Sequence, residues 1–182
     1  MVLLVAATEL EAEVVSGVPT LVCGIGPVDA AVATARELGR RRPDALLHIG
    51  IAGARTLQPP ALVLGSESVY CDVVDPASAL PRVERVEPAG ELLAAARRAL
   101  PEAHVVAIAT AGRVGGGEDL FEVEAMEGFG VLRAAAVAGV PAVELRAVSN
   151  AFGEADRRRW RVDEALAALA EAVPRVLAEL GR

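Results

Sequence analysis

FEVEAMEGFGVLRAAAVAGVPAVELRAVSN, residues 121–150, decides how the rest of the chain is read. A Met126-Glu127-Gly128 turn opens a helix of small residues, Val131 to Ala138. Gly139 stops that helix, and Val140 to Ser149 runs on as a buried strand ending in Asn150. The polar residues of the stretch fall at its ends: Glu127 near the start of the helix, Arg146 and Asn150 toward the carboxyl end of the strand. Ligands of open α/β sheets bind outside the carboxyl ends of the strands, so chemistry is sought there.

Outward from this stretch the chain alternates short apolar runs with amphipathic ones. Val2 to Ala7 reads as a strand buried on both faces. Thr8 is an N-cap for an acidic helix, Glu9 to Val15, with Glu11 completing a capping box. After Gly17 to Thr20 comes a strand, Leu21 to Cys23. Gly24-Ile25-Gly26-Pro27 then turns into a helix from Val28 to about Arg42. Ala45 to Ile49 is a third strand, closed by Gly50-Ile51-Ala52-Gly53, and Ala61 to Tyr70 a fourth. Residues 71–87 read as a surface excursion, Gly90 to Leu100 as a helix, and His104 to Thr110 as a strand followed by a glycine-rich loop from Ala111 to Gly117. Residues 151–159 form an arginine-rich loop or helix start. Asp163 to Leu180 is a terminal helix in which Pro174 is expected to make a kink or break. The order predicts a single α/β domain over 1–182, with a mixed, mostly parallel central sheet flanked by helices in three layers.

Composition excludes several kinds of chemistry. The net charge of −7 argues against a nucleic-acid surface. All 18 basic side chains are arginine, which removes Schiff-base and P-loop lysine mechanisms. Cys23 and Cys71 imply neither a disulfide framework nor a metal site, and two histidines give a metal no further support, so no metal and no cofactor are expected. No apolar run reaches the length of a membrane span, and the first strand starts without a charged leader, so a cytoplasmic, soluble protein is expected with no membrane partner. Gly24-x-Gly26 is not a dinucleotide fingerprint, because Asp29 stands where the third glycine belongs. There is no G-x-S-x-G elbow.

Three positions carry functional weight. Glu127 suits the two hydroxyls of a vicinal diol, and Met126 an apolar sugar face, although a carboxylate in a first helical turn also serves as a cap. Arg146 lies in an otherwise apolar strand, where an unpaired guanidinium would cost several kcal/mol; a carboxylate or an anionic ligand must therefore meet it. His48, among Leu46, Leu47 and Ile49, reads as a packed or interface histidine rather than a base.

In order along the chain, Ala7-Thr8-Glu9-Leu10-Glu11, Gly24-Ile25-Gly26-Pro27-Val28, Gly50-Ile51-Ala52-Gly53, Met126-Glu127-Gly128 and Arg146-Ala147-Val148-Ser149-Asn150 resemble the purine nucleoside phosphorylase and 5′-methylthioadenosine nucleosidase family. The resemblance covers nearly the whole chain. It implies a partly barrel-like sheet, a homo-oligomer (dimer or tetramer) and a small nucleoside substrate. Residue by residue it implies that Glu11 orients the attacking water with Arg146 nearby, that Met126 and Glu127 hold the ribose, that Ile51 and Gly53 line the substrate site, and that Asn150 contacts the purine.

Three departures narrow this. The turn after the first strand is acidic, where family phosphorylases carry a glycine-rich, arginine-containing phosphate turn, so water is the expected nucleophile. The usual hairpin before the Gly-Ile-Gly strand is replaced by Gly17 to Thr20. Asn150 stands where adenine-cleaving members carry aspartate; its NH₂ suits a 6-oxygen and its carbonyl an N7–H, which selects hypoxanthine over adenine. The pattern is most similar to the family's hydrolytic members that release hypoxanthine in menaquinone biosynthesis, whose substrate carries a carboxylated aromatic group on the 5′ side. Arg55, Arg113 or the Arg157-Arg158-Arg159 run before Trp160 is expected to meet that carboxylate, unless the run is only a solvated surface. A phosphorylase, a methylthioadenosine-type nucleosidase and a non-catalytic nucleoside-binding domain remain open as alternatives.

Overall fold

The structure is a computed structural model that describes residues 1–15, 17–73, 82–117 and 120–181. One sheet of eight strands, β1 (Val2–Ala6), β2 (Thr20–Val22), β3 (Ala45–Ala54), β4 (Leu62–Tyr70), β5 (Arg85–Val86), β6 (His104–Thr110), β7 (Val123–Ala125) and β8 (Ala142–Ala151), organises the chain. Among the described residues, five α-helices accompany it: α1 (Glu9–Ala12), α2 (Pro27–Arg40), α3 (Gly90–Ala99), α4 (Gly128–Ala138) and α5 (Val162–Leu180).

The sheet closes on itself. β3 pairs with β8 in parallel, β8 with β4 antiparallel, β4 with β6 and β6 with β7 in parallel, and β7 returns to β3 antiparallel. β1 and β2 extend from β3 as a parallel wing. Alternate residues of β1 serve opposite layers, as strand periodicity requires. Leu3 and Val5 pack with Ala30 and Leu38 of α2 and Val131 and Ala135 of α4. Leu4 and Ala6 belong with Ala96 of α3 and Leu169 and Val173 of α5. The ring itself encloses a small cluster, Ala52, Ala54, Val63, Ile108, Val123, Ala125 and Val148, drawn from all five of its strands. These layers are the three expected, and the barrel-like closure agrees with the resemblance.

Several boundaries move. Gly50 to Gly53 does not end the third strand: β3 runs through it to Ala54. Glycine is needed at Gly50 because the Arg146 guanidinium and the Glu11 carboxylate occupy the space a Cβ would take. The acidic helix stops at Ala12 rather than Val15. Val123–Ala125 is a strand, α4 begins at Gly128, and β8 continues through Asn150. Gly130 brings α4 against α2, since a Cβ there would run into the Pro27 carbonyl. The surface excursion contains β5, and its residues 74–81 lie outside those described. α5 runs unbroken past Pro174, because Ala172, Val173 and Val176 are buried on both sides of it and packing outweighs the lost hydrogen bond.

Candidate active site

Glu11 is fixed before any ligand arrives. Thr8 caps α1, and the capping box is complete: the Glu11 amide donates to Thr8 Oγ1 at 3.3 Å, while Glu11 Oε2 accepts from the Thr8 amide at 3.0 Å and from its hydroxyl at 2.9 Å. The other oxygen, Oε1, accepts from the Ile51 amide at 3.0 Å. Three donors thus set the carboxylate's orientation at the carboxyl ends of β1 and β3. Glu127, at the start of α4, is 5% exposed; its Oε1 accepts from the Gly26 amide at 3.1 Å, and its Oε2 lies 3.6 Å from Arg146 Nη1. Gly26 reaches this position with φ 95°, which a side chain would resist.

A register shift in β8 aims Asn150. Val148 pairs with Ala52, yet Gly53 pairs with Asn150, so Ser149 is the extra residue of a bulge. Without the bulge Ser149 would lie beside Gly53. Asn150 Nδ2 donates to the Ala151 carbonyl at 2.9 Å, and Oδ1 accepts from Ser149 Oγ at 2.7 Å. One amide proton and one carbonyl lone pair remain for a ligand.

These residues line one cavity. Glu11, Ile51, Gly53, Met126, Glu127 and Asn150 share its wall, with Trp160, Arg113 and Arg157 also present. Arg146 does not line it. Its side chain is wholly buried behind the wall, where Nε donates to Glu144 Oε1 at 2.8 Å and Nη2 to His48 Nε2. His48 Nδ1 lies 3.0 Å from the Val5 carbonyl, an acceptor, so the proton is on Nδ1 and Nε2 is free to accept from the arginine. Burial and the neighbouring guanidinium hold the His48 pKa well below its ordinary value. Burial alone would lower the Arg146 pKa, but Glu144, Glu127 and Glu11 outweigh it and raise it. The Glu127 pKa is raised by burial, against the opposing pull of Arg146 and the Gly26 amide, with Glu11 and Glu144 adding to the rise.

The arginines proposed for an anion divide sharply. Arg113 and Arg157 are exposed at the cavity, and the Arg157 guanidinium lies 5.0 Å from the Trp160 ring centroid. Arg158 pairs with Asp156 at 2.7 Å and Arg159 with Glu154 at 3.2 Å, away from the cavity wall. Arg55 donates to the Phe121 carbonyl at 2.7 Å and stacks over Phe152. Among the described residues, no group of three or more His, Cys, Asp or Glu is placed to hold a metal ion, and no helix is long and apolar enough to cross a membrane.

Residues 13–181 match the model of the phosphorylase superfamily. The chain belongs to that superfamily. A futalosine hydrolase of Streptomyces coelicolor is 37% identical over 179 residues, covering 84% of this chain and 75% of the relative. A futalosine hydrolase of Thermus thermophilus is 34% identical over 223 aligned positions, covering 100% of this chain and 97% of the relative. That length, for a chain of 182 residues, means that the relative carries insertions this one lacks. Among solved structures, the 5′-methylthioadenosine/S-adenosylhomocysteine nucleosidase of Helicobacter pylori superposes with TM-score 0.87 at 18% identity, covering 98% of this chain and 97% of that one. A futalosine hydrolase mutant of the same organism gives TM-score 0.87 at 18% identity, covering 98% of each chain. At such identity the likeness is one of fold.

Sequence reasoning overlooked Glu144, Ser68 and Glu124, whereas His48, read as a packed histidine rather than a base, is buried and hydrogen-bonded as expected. The signal for Glu144 was present: it lies two residues before Arg146, hence on the same face of a strand. Ser68, which donates to Glu144 Oε2, reaches it through a second register shift, between Gly65 and Glu67, that no local pattern marks.

Proposed function

We propose that this protein hydrolyses the N-glycosidic bond of futalosine, releasing hypoxanthine and dehypoxanthine futalosine, an intermediate of menaquinone biosynthesis. The observation that carries the reading is the meeting of Glu11, Glu127 and Asn150 on one cavity wall beside an acidic first turn. The 34–37% identity to futalosine hydrolases supports it.

Glu127 accepts hydrogen bonds from the 2′- and 3′-hydroxyls while Met126 packs on the sugar. The C1′–N9 bond breaks with its electron pair moving to the base, leaving an oxocarbenium-like sugar. Water adds to C1′ and gives its proton to Glu11. The departing hypoxanthine takes a proton from solvent at N7, and Asn150 accepts from that N–H while its amide donates to the 6-oxygen. Arg146 acts from behind the wall by holding Glu127 and facing Glu11 across Gly50. Arg113 and Arg157 take the 5′ carboxylate, and Trp160 offers a face to the aromatic ring that bears it. A homo-oligomer belongs to the same reading; Ile25, which borders the cavity, and Val28 just after it keep 52% and 68% of their surface exposed.

The test is Glu11→Gln in phosphate-free buffer. Hypoxanthine release from futalosine should fall by about 10²–10⁴-fold while the dissociation constant changes little. An unchanged rate would remove Glu11 from the chemistry and the hydrolytic mechanism with it.

A further inference from the structure

Glu124 has no part in the reaction just described, yet it is 6% exposed and borders the cavity. On β7 it lies between Gly53 of β3 and Ala109 of β6, so its backbone is held on both sides by the barrel. Its two oxygens go to two different loops. Oε1 accepts from the Gly153 amide at 2.7 Å, and Oε2 from the Gly115 amide at 2.8 Å. Gly115 and Gly153 have φ of 71° and 74°, and a Cβ on Gly115 would come within 3.3 Å of the Gly153 Cα, so the two backbones touch at the carboxylate.

Each loop carries one of the exposed arginines of the cavity. Arg113 is set between two anchors, the Gly112 amide on Asp72 Oδ2 at 2.7 Å and the Gly115 amide on Glu124. Arg157 follows Gly153 by one short turn, which is tied down by the Trp160 indole N–H donating to the Glu154 carbonyl at 2.8 Å. Charge-assisted bonds from a buried carboxylate are the strong kind, and their geometry is fixed.

We infer that Glu124 is a positioning residue for specificity: one carboxylate clamps both loops so that Arg113 and Arg157 together present a site for an anionic group on the 5′ side of the nucleoside. The proposal rests on the nucleosidase reading for its substrate, but the clamp itself can be measured without one. Glutamine offers a single acceptor oxygen and sets an NH₂ against the second glycine amide, so Glu124→Gln must release one loop.

Amide hydrogen exchange at Gly115 and Gly153 should quicken by about tenfold or more in Glu124→Gln; unchanged exchange at both overturns the clamp. In kinetics, KM for futalosine should rise about tenfold with kcat nearly constant, whereas kcat/KM for inosine, which has no 5′ anion, should change much less. Equal losses for the two substrates would overturn the positioning role, and so would a Glu124→Gln effect that persists in an Arg113→Ala/Arg157→Ala background. If Glu124→Gln does not fold, Gly153→Ala strains the same contact from its exposed loop side and must give the same split. Failure of the wild-type protein to cleave futalosine would count against the functional reading, with the exchange result still deciding the clamp.

Discussion

In the proposed mechanism Asn150 meets two demands at once, because its amide must satisfy the protein and still read a base. The Ala151 carbonyl takes one amide proton and Ser149 occupies one carbonyl lone pair, so the remaining donor and acceptor are fixed in direction. Asn150→Asp should shift preference toward 6-amino nucleosides by about tenfold or more, since a mismatched polar pair costs about 1–3 kcal/mol. Competition between inosine and adenosine measures this, and an unaltered ratio would take base reading away from Asn150. Glu127 supplies a pH dependence. In the proposed reaction its carboxylate form grips the ribose, and burial raises its pKa above the ordinary carboxylate value. Activity should therefore fall as pH drops through that raised value, with an acid limb of kcat/KM above the ordinary carboxylate range; the limb should vanish from the residual activity of Glu127→Gln. Linkage gives the stability counterpart: the protonated form is favoured on folding, so Glu127's stabilising contribution is complete below its unfolded pKa and is lost as pH rises through the folded one. The stability of Glu127→Gln relative to wild type should accordingly rise with pH across that window in denaturant titrations. At this scale the sequence was informative where a residue ends an element. The motifs singled out Glu11, Glu127 and Asn150, and the fold brings the three to one cavity wall. Ser68 was not legible, because its approach to Glu144 depends on a register shift in β4 that no local pattern encodes.

At the scale of elements, β3 and β8 carry the site. Gly50 gives up its side chain so that the Arg146 guanidinium from β8 and the Glu11 carboxylate from α1 can both occupy the space above the strand. Gly50→Ala should destabilise the protein by about 1–3 kcal/mol in chemical denaturation, as overpacking does, and should depress activity by displacing both groups. Arg146→Leu should cost more, about 3–5 kcal/mol, since it leaves Glu144 buried without its cation and Glu127 without its nearest one. Either variant matching wild type in both stability and rate would show that the guanidinium is not the keystone proposed. Long elements were readable from periodicity, as α2, α3, α5 and β6 illustrate within a residue or two. β7 was not: it has three residues, and its strand character comes from pairing with β3 and β6 on both sides. β3 was read too short because glycines that signal a turn in isolation here mark a close approach of side chains. The break expected at Pro174 was overridden by the apolar face of α5.

For the whole molecule, ring closure brings β3, β7 and the end of β8 to one cavity, with the turn after β1 beside them, so residues far apart in sequence share one wall. The alternation of strands and helices made the layered sheet legible, whereas closure depends on β7 and β8 reaching β3 and β4, which no local pattern encodes. The acidic first turn predicts a hydrolase, and Asn150 with the arginine pair predicts its substrate. The most direct measurement is base release by chromatography after incubation with futalosine, inosine and methylthioadenosine, each with and without phosphate. Hypoxanthine from futalosine at a rate independent of phosphate is the predicted result, with inosine and methylthioadenosine turned over far more slowly. Adenine released in preference from methylthioadenosine, or release only when phosphate is added, would contradict the account.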